Sequence, residues 1–230
     1  MRVALCFSGH TRFFAQTHQY WKSVVLDRYQ PDVFVHTWIE PSDLAGSEND
    51  LRTLHDLYAP VVITSEPPRK FPGADEIYRD RLWPHRITVQ GQLSQFTGIK
   101  MAQQLRRSYE DAMGFKYDIS IRARFDWYLE QLELEVNDQL NVPDCPTLYD
   151  HGFTYRGQPH IGICDQFAFG KPDLMDTYAE MVDNFYHLYH ECGVDFCGEL
   201  FAKAHMLDKG IDIKQQLMGN GIVRTTGILR

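Results

Sequence analysis

The sequence predicts an α/β protein: a parallel sheet with helices on both of its faces. Short apolar runs at 3–7, 32–38 and 61–64 alternate with stretches of helical periodicity at 13–29 and 50–58. Alternation at this spacing makes successive strands parallel, because each return connection is a helix. The chain has 230 residues, 43% of them apolar and 23% charged, a globular composition with length enough for a large core. No repeat, low-complexity tract or Gly/Ser linker divides it, so residues 1–230 read as one domain.

Each element has its own signal. Val3–Phe7 is an apolar run closed by Ser8-Gly9, which reads as a buried strand. Phe13–Tyr29 carries Phe14, Trp21, Val24 and Val25 at roughly helical spacing. Asp32–Trp38 is a second β-rich run, Asp50–Tyr58 aligns Leu51, Leu54, Leu57 and Tyr58 on one helical face, and Val61–Thr64 is a third strand. Pro67, Pro68, Pro72 and Pro84 break up residues 65–90. Within that stretch Arg79, Arg81, Trp83, His85 and Arg86 form a basic-aromatic cluster, either a solvated loop or a cleft edge. Gln92–Met113 is the clearest helix: Leu93, Phe96, Met101, Leu105, Tyr109 and Ala112 fall near one stripe, and Gly114 stops it.

Tyr117–Leu129 alternates strictly. Tyr117, Ile119, Ile121, Ala123, Phe125, Trp127 and Leu129 face one way; Asp118, Ser120, Arg122, Arg124, Asp126 and Tyr128 face the other. Residues 137–160 are rich in Pro and Gly and read as loops. Ile161–Phe169 reads as a strand and Pro172–Glu191 as a helix with Pro in its first turn. Glu199–Lys209 reads as a helix stopped by Gly210, and Ile211–Leu217 as a short closing strand. Regular alternation ends near residue 130, so a nucleotide-fold half (1–130) is joined to a mixed-sheet half (131–230).

The formal charge of −8 argues against broad nucleic-acid binding, which needs a basic surface, and against docking on an acidic membrane through a polybasic patch. The cysteines, Cys6, Cys145, Cys164, Cys192 and Cys197, are odd in number and match no zinc-site spacing. They fit a reducing compartment, and the expected location is cytoplasmic. The apolar run at the N-terminus is too short for a signal peptide, and no segment approaches the ~20 apolar residues of a membrane span.

Four groups of residues are candidates for chemistry. Ser8-Gly9-His10-Thr11-Arg12 follows the first strand, where open parallel sheets bind ligands. Gly9 permits close backbone approach and Arg12 suits a phosphate, although the Gly and Lys spacing of a dinucleotide fingerprint or a P-loop is absent; an ordinary strand-to-helix turn is the alternative. Arg122, Arg124 and Asp126 share one face of their strand, as a solvent-exposed ion ladder or as a diphosphate site in which Asp126 holds a bridging divalent cation. In a regular strand Asp165 shares its face with Ile163, Phe167 and Phe169, where burial would raise its pKa and suit a general base; a local turn cap is the alternative. Glu199 opens a helix, either satisfying the helix dipole or aimed into an acceptor cleft.

Other features are discounted. His187, His190 and Glu191 sit at a helix C-terminus, where cationic His is favourable without a metal. Ser8 lies in no nucleophile elbow.

Taken in order, Leu5-Cys6-Phe7-Ser8-Gly9-His10-Thr11-Arg12, Asp32-Val33-Phe34-Val35-His36-Thr37-Trp38 and Tyr117–Asp126 resemble the small GT-A-type glycosyltransferases of bacterial polysaccharide clusters and large DNA viruses. Asp165-Gln166-Phe167-Ala168-Phe169-Gly170, Gly198-Glu199-Leu200 and Gly210-Ile211-Asp212-Ile213 extend the resemblance over nearly the whole chain.

The resemblance implies a GT-A-like, Rossmann-type sheet, with residues 1–130 binding a nucleotide sugar and 131–230 binding the acceptor. It implies a hexosyl- or deoxyhexosyl-transferase that moves a sugar from a nucleoside diphosphate donor, a UDP-sugar first, to a glycan hydroxyl. Ser8, Gly9, His10 and Arg12 would lie beside the nucleotide. Arg122, Arg124 and Asp126 would manage the diphosphate, with Mn²⁺ or Mg²⁺ on Asp126. Asp165 or Glu199 would activate the acceptor. In the family an Asp-x-Asp pair binds the metal; here Arg124 stands at the first acid and only Asp126 matches. Trp83, Trp127 and Tyr155 would stack on sugar faces, or else pack in the core.

Two other functions fit the same residues. A nucleotidyltransferase would act on a nucleoside triphosphate and a sugar phosphate, releasing pyrophosphate. A non-catalytic saccharide-binding module would use an aromatic groove and need no Arg124–Asp126 pair.

Overall fold

The structure, a computed structural model, describes residues 1–39, 44–81, 88–144, 152–224 and 227–229. Strand β1 (Val3–Gly9) is buried at every position from Val3 to Ser8. Val3, Leu5 and Phe7 point to one face while Ala4 and Cys6 point to the other. A run that is apolar at every position is what a strand covered on both faces requires.

From β1 the chain enters α1 (Phe14–Trp21), continues through a π-helical stretch, Lys22–Leu26, and ends that helix in α2 (Asp27–Tyr29). Then come β2 (Asp32–Trp38), α3 (Leu44–Tyr58), β3 (Val62–Glu66), the short α4 (Ala74–Tyr78) and the long α5 (Val89–Met113). Strand β4 (Ile119–Ala123) leads directly to β5 (Trp127–Leu129), followed by β6 (Leu140–Pro143), the hairpin β7 (Gly152–Tyr155) and β8 (Gln158–Ile161), and β9 (Phe167–Gly170). Helices α6 (Pro172–Ala179), α7 (Phe185–His190) and α8 (Gly198–Asp208) precede β10 (Ile213–Gln216), β11 (Asn220–Arg224) and β12 (Gly227–Leu229).

The main sheet has seven strands in the order β10-β6-β9-β4-β1-β2-β3. Strands β1 to β4 are parallel, β9 runs antiparallel to β4 and β6, and β10 is parallel to β6. This is an α/β protein with a mostly parallel central sheet, compatible with a Rossmann-like fold, and the sheet continues across the boundary at 130/131. Phe14, Trp21, Val25, Leu54 and Tyr58 join Leu5 and Phe7 in the core on one face; Ala102 on α5 packs with Ala4 and Cys6 on the other. Among the described residues no helix is long and apolar enough to cross a membrane.

Several local expectations are corrected. Tyr117–Leu129 is not one strand: it breaks at Arg124–Asp126, and β5 pairs with β11 in a separate three-stranded sheet. The break is held because Phe125 stacks on Phe7 at 4.8 Å and its carbonyl accepts a hydrogen bond from Thr17 Oγ1 (2.6 Å). The second face of β4 is not solvated, because Ser120 and Arg122 are buried. Ile161–Phe169 is likewise divided, and Asp165 lies in the irregular segment between β8 and β9. The helix expected over Pro172–Glu191 contains a 3₁₀ stretch, Glu180–Asn184.

On α5 the buried stripe passes through Leu93, Phe96 and Ile99 to Gln103, Arg106 and Glu110, while Met101, Leu105 and Tyr109 are only half-buried and Ala112 is exposed. Trp83, Pro84, His85, Arg86 and Cys145 lie outside the described residues. The four described cysteines are free thiols.

Candidate functional site

The chain leaves β1 toward β2 on one side and returns to β4 on the other. Connections that diverge from neighbouring strands leave a crevice beyond their carboxyl ends, where ligands of open α/β sheets sit. A cavity of about 490 Å³ opens there. Ser8, Gly9, His10 and Arg12 supply one wall from the end of β1, and Arg124, Phe125 and Asp126 supply another from the end of β4. Trp38 ends β2, Pro68 and Arg69 follow β3, and Thr88, Gln90, Gly91, Gln92, Ser94 and Gln95 complete the lining from the start of α5.

Gly9 turns the chain out of the sheet at φ +109°, a conformation L side chains rarely adopt. Phe13, before α1, also has positive φ (57°). Backbone held in such regions persists where the surrounding structure imposes it, and it clusters at functional sites.

Among the described lining residues three guanidinium groups, Arg12, Arg69 and Arg124, face one carboxylate, Asp126. Arg124 donates to both Asp126 oxygens, Nε to Oδ1 at 2.9 Å and Nη2 to Oδ2 at 2.6 Å. Burial works against the charged Arg124, but Asp126 more than offsets it and raises the guanidinium pKa. Arg69 donates to Glu66 (3.1 Å), which also meets Nε2 of the buried His36 at 2.9 Å. Burial lowers the His36 pKa despite that carboxylate. The other ring nitrogen, His36 Nδ1, and Trp38 Nε1 are buried without a partner among the described residues, and both stand about 3.5–3.6 Å from where a Cβ on Gly98 would be.

Asp165 stands one residue behind the cavity wall, and Glu199 is near it. Gln95 Nε2, on the wall, donates to Asp165 Oδ2 (2.7 Å), and the Gln166 amide donates to Asp165 Oδ1. The start of α8 comes so close that a Cβ on Gly198 would lie 2.5 Å from both Asp165 Oδ2 and Gln92 Oε1. Glu199 accepts from the Cys197 thiol (2.9 Å), and its carbonyl accepts from Ile163 N (3.1 Å). Burial, and then the neighbouring Asp165 charge, push the Glu199 carboxyl up to about 7. Burial also raises Asp165, against the pull of Arg122 and Arg124.

Of the residues singled out from the sequence, Ser8, Gly9, His10, Arg12, Arg124 and Asp126 converge on the cavity. Arg122 does not line it: the side chain is 1% exposed and lies inside the protein. Trp127 and Tyr155 are buried rather than presented to a sugar; Tyr155 instead donates to Asp208 (3.0 Å). The glutamines of the wall belong to no sequence motif; the one signal for them is that Gln92 and Gln95 stand three apart at the start of the predicted helix, a spacing that puts them on one face.

The expected divalent cation fits this donor set poorly. Mg²⁺ binds through one or two carboxylates together with substrate phosphates. Asp126 is the only carboxylate among the described lining residues, and both its oxygens are engaged by Arg124. Among the described residues no group of three His, Cys, Asp or Glu side chains is placed to hold a metal ion.

Fold and site together define an α/β protein with a cationic cavity at the switch point of a mostly parallel sheet and a buried acidic pair behind it. The chain matches no protein-family model, and no curated protein matches it.

Proposed function

We propose that the protein is a GT-A-type glycosyltransferase that moves a sugar from a nucleoside diphosphate donor, with UDP-sugars as the first candidates, to a saccharide hydroxyl. The supporting observation is the convergence of Arg12, Arg69 and Arg124 on a switch-point cavity backed by Asp165 and Glu199. In this reading the nucleotide lies along Ser8, Gly9 and His10, with the nucleoside end toward Trp38 Nε1. The guanidinium groups meet the diphosphate. They matter most as the sugar leaves, because the departing nucleoside diphosphate gains negative charge and planar donors already in place stabilise it. Asp126 positions Arg124 for this task.

The acceptor hydroxyl would replace the Gln95 amide as the donor to Asp165 Oδ2. As its oxygen bonds the anomeric carbon, its proton passes to the acidic pair, and the bond from that carbon to the diphosphate oxygen breaks with its electron pair on the diphosphate. A Mn²⁺ or Mg²⁺ ion on Asp126 would compete with Arg124 for the same oxygens, so no step is assigned to it.

The test is to incubate the protein with a panel of UDP-, GDP- and TDP-sugars and saccharide acceptors, with and without Mn²⁺, while following nucleoside diphosphate release and thermal unfolding. Sugar transfer with release of a nucleoside diphosphate is expected. Pyrophosphate release from a nucleoside triphosphate would establish the nucleotidyltransferase instead. Neither release nor stabilisation by any nucleotide sugar would remove the proposal.

A further inference from the structure

Arg122 points from β4 into the interior, and none of its three guanidinium nitrogens has a hydrogen-bond partner among the described residues. The buried hydroxyl of Tyr178, on α6, likewise has no partner among the described residues. A buried cation is costly unless a counter-charge stands near it. The register supplies one. Arg122 pairs with Ala168 and Ala123 with Phe167 across the antiparallel β4–β9 ladder, so the segment carrying Asp165 and Gln166 runs past the end of β4, where Arg124 N donates to the Gln166 carbonyl (3.2 Å). Arg122 and Asp165 act on each other electrostatically: each favours the charged form of its partner against the effect of burial. Glu199 follows Gly198, whose missing Cβ lets Asp165 Oδ2 reach the start of α8.

The surroundings of the acidic pair are of mixed charge. Arg122 faces it from β4, Arg124 from the turn that follows, Tyr178 from α6, Cys164 from the irregular segment and Cys197 from the start of α8. Helix α5 contributes the neutral amides Gln92 and Gln95.

We propose that Arg122 is a positioning residue for proton transfer: its interior charge, carried by β4 beside the segment that holds Asp165, favours the anionic form of that carboxylate. The inference rests on the pair being the proton-handling group of the transferase reading. Asp165 is then the oxygen ready to take the acceptor proton, and Arg122 works through it without touching substrate.

Carboxyl NMR titration of the pair, which needs no turnover, tests this in wild type, Arg122→Lys and Arg122→Met. The Met variant should raise the first ionisation of the pair by at least about one pH unit, since an opposite charge nearby is worth that much or more. The Lys variant should stay close to wild type. The acid limb of kcat should move with the titration while UDP affinity is unchanged. An unshifted titration in Arg122→Met overturns the proposal, as does a loss of UDP affinity without a titration shift, which would make Arg122 a diphosphate ligand.

If no sugar donor is ever turned over, the transferase reading fails while the titration still decides the role of Arg122. If Arg122→Met does not fold, Arg122→Met/Asp165→Asn should, because removing both charges of a buried pair is far better tolerated than removing one. A double variant no more stable than the single one also overturns the pairing.

Discussion

Glu199 occupies the first turn of α8, buried and beside a like charge, and its carboxyl is pushed from 4.5 up to about 7. A folded-state pKa above the unfolded one means that the folded protein binds the extra proton between those values, so stability falls as pH rises from about 4.5 through about 7. Glu199→Gln should flatten that slope, which urea unfolding across pH 4–8 would show; an unchanged slope would remove Glu199 as its source. Asp126 acts by another route, through its two contacts to Arg124. Asp126→Ala should free the guanidinium and weaken UDP binding by about tenfold or more, the order of a lost charge-assisted contact. Calorimetry that gives wild-type affinity would take Asp126 out of the site.

Helix α8 and the segment before β9 meet where both lack a side chain. A Cβ on Gly162 would lie 2.9 Å from the Glu199 Cβ and 3.2–3.3 Å from the Glu199 backbone, whereas one on Gly198 would meet the ends of Asp165 and Gln92. Backbone yields less easily than side-chain ends. Gly162→Ala should therefore cost about 1–3 kcal/mol of stability, measured by chemical denaturation, while Gly198→Ala should keep more of the stability and lose turnover because Asp165 is displaced. Equal stability loss in the two variants would contradict this account of the contact. At the same scale, Arg106 on α5 donates to Glu110 and to Asp176 of α6, and Glu110 accepts from Tyr117 N (2.9 Å). This buried ionic network continues the buried stripe of α5 through charged residues.

Across the whole molecule, one sheet carries both the end of β1 and the end of β4, so a single ligand should engage both at once. UDP should slow amide hydrogen exchange at residues 8–12 and 124–126 together, and leave the edge strands β3 and β10 unchanged. Protection of one segment alone would argue against a shared site.

Sequence and structure divide along physical lines. The alternation of apolar runs was enough to fix the α/β class and the first three strands, since a strand covered on both faces must be apolar throughout. The same local pattern placed Ser8 to Arg12 at a strand end and singled out Arg124, Asp126, Asp165 and Glu199 by chemical type. It failed where burial is set by distant partners. Periodicity treats Arg106 and Arg122 as surface charges, because Asp176, which accompanies Arg106, comes from another helix, and Asp165, which acts on Arg122, comes from an irregular segment that alternation cannot show. It also continued Tyr117–Leu129 as one strand, because the stack of Phe125 on Phe7 that bends the chain at Arg124–Asp126 exists only between segments more than a hundred residues apart. The sequence by itself determined the α/β class and the first three strands, and it singled out the candidate charges by chemical type. Only the tertiary structure decided which of those charges line the cavity and which stand behind it, because burial and pairing depend on the whole fold.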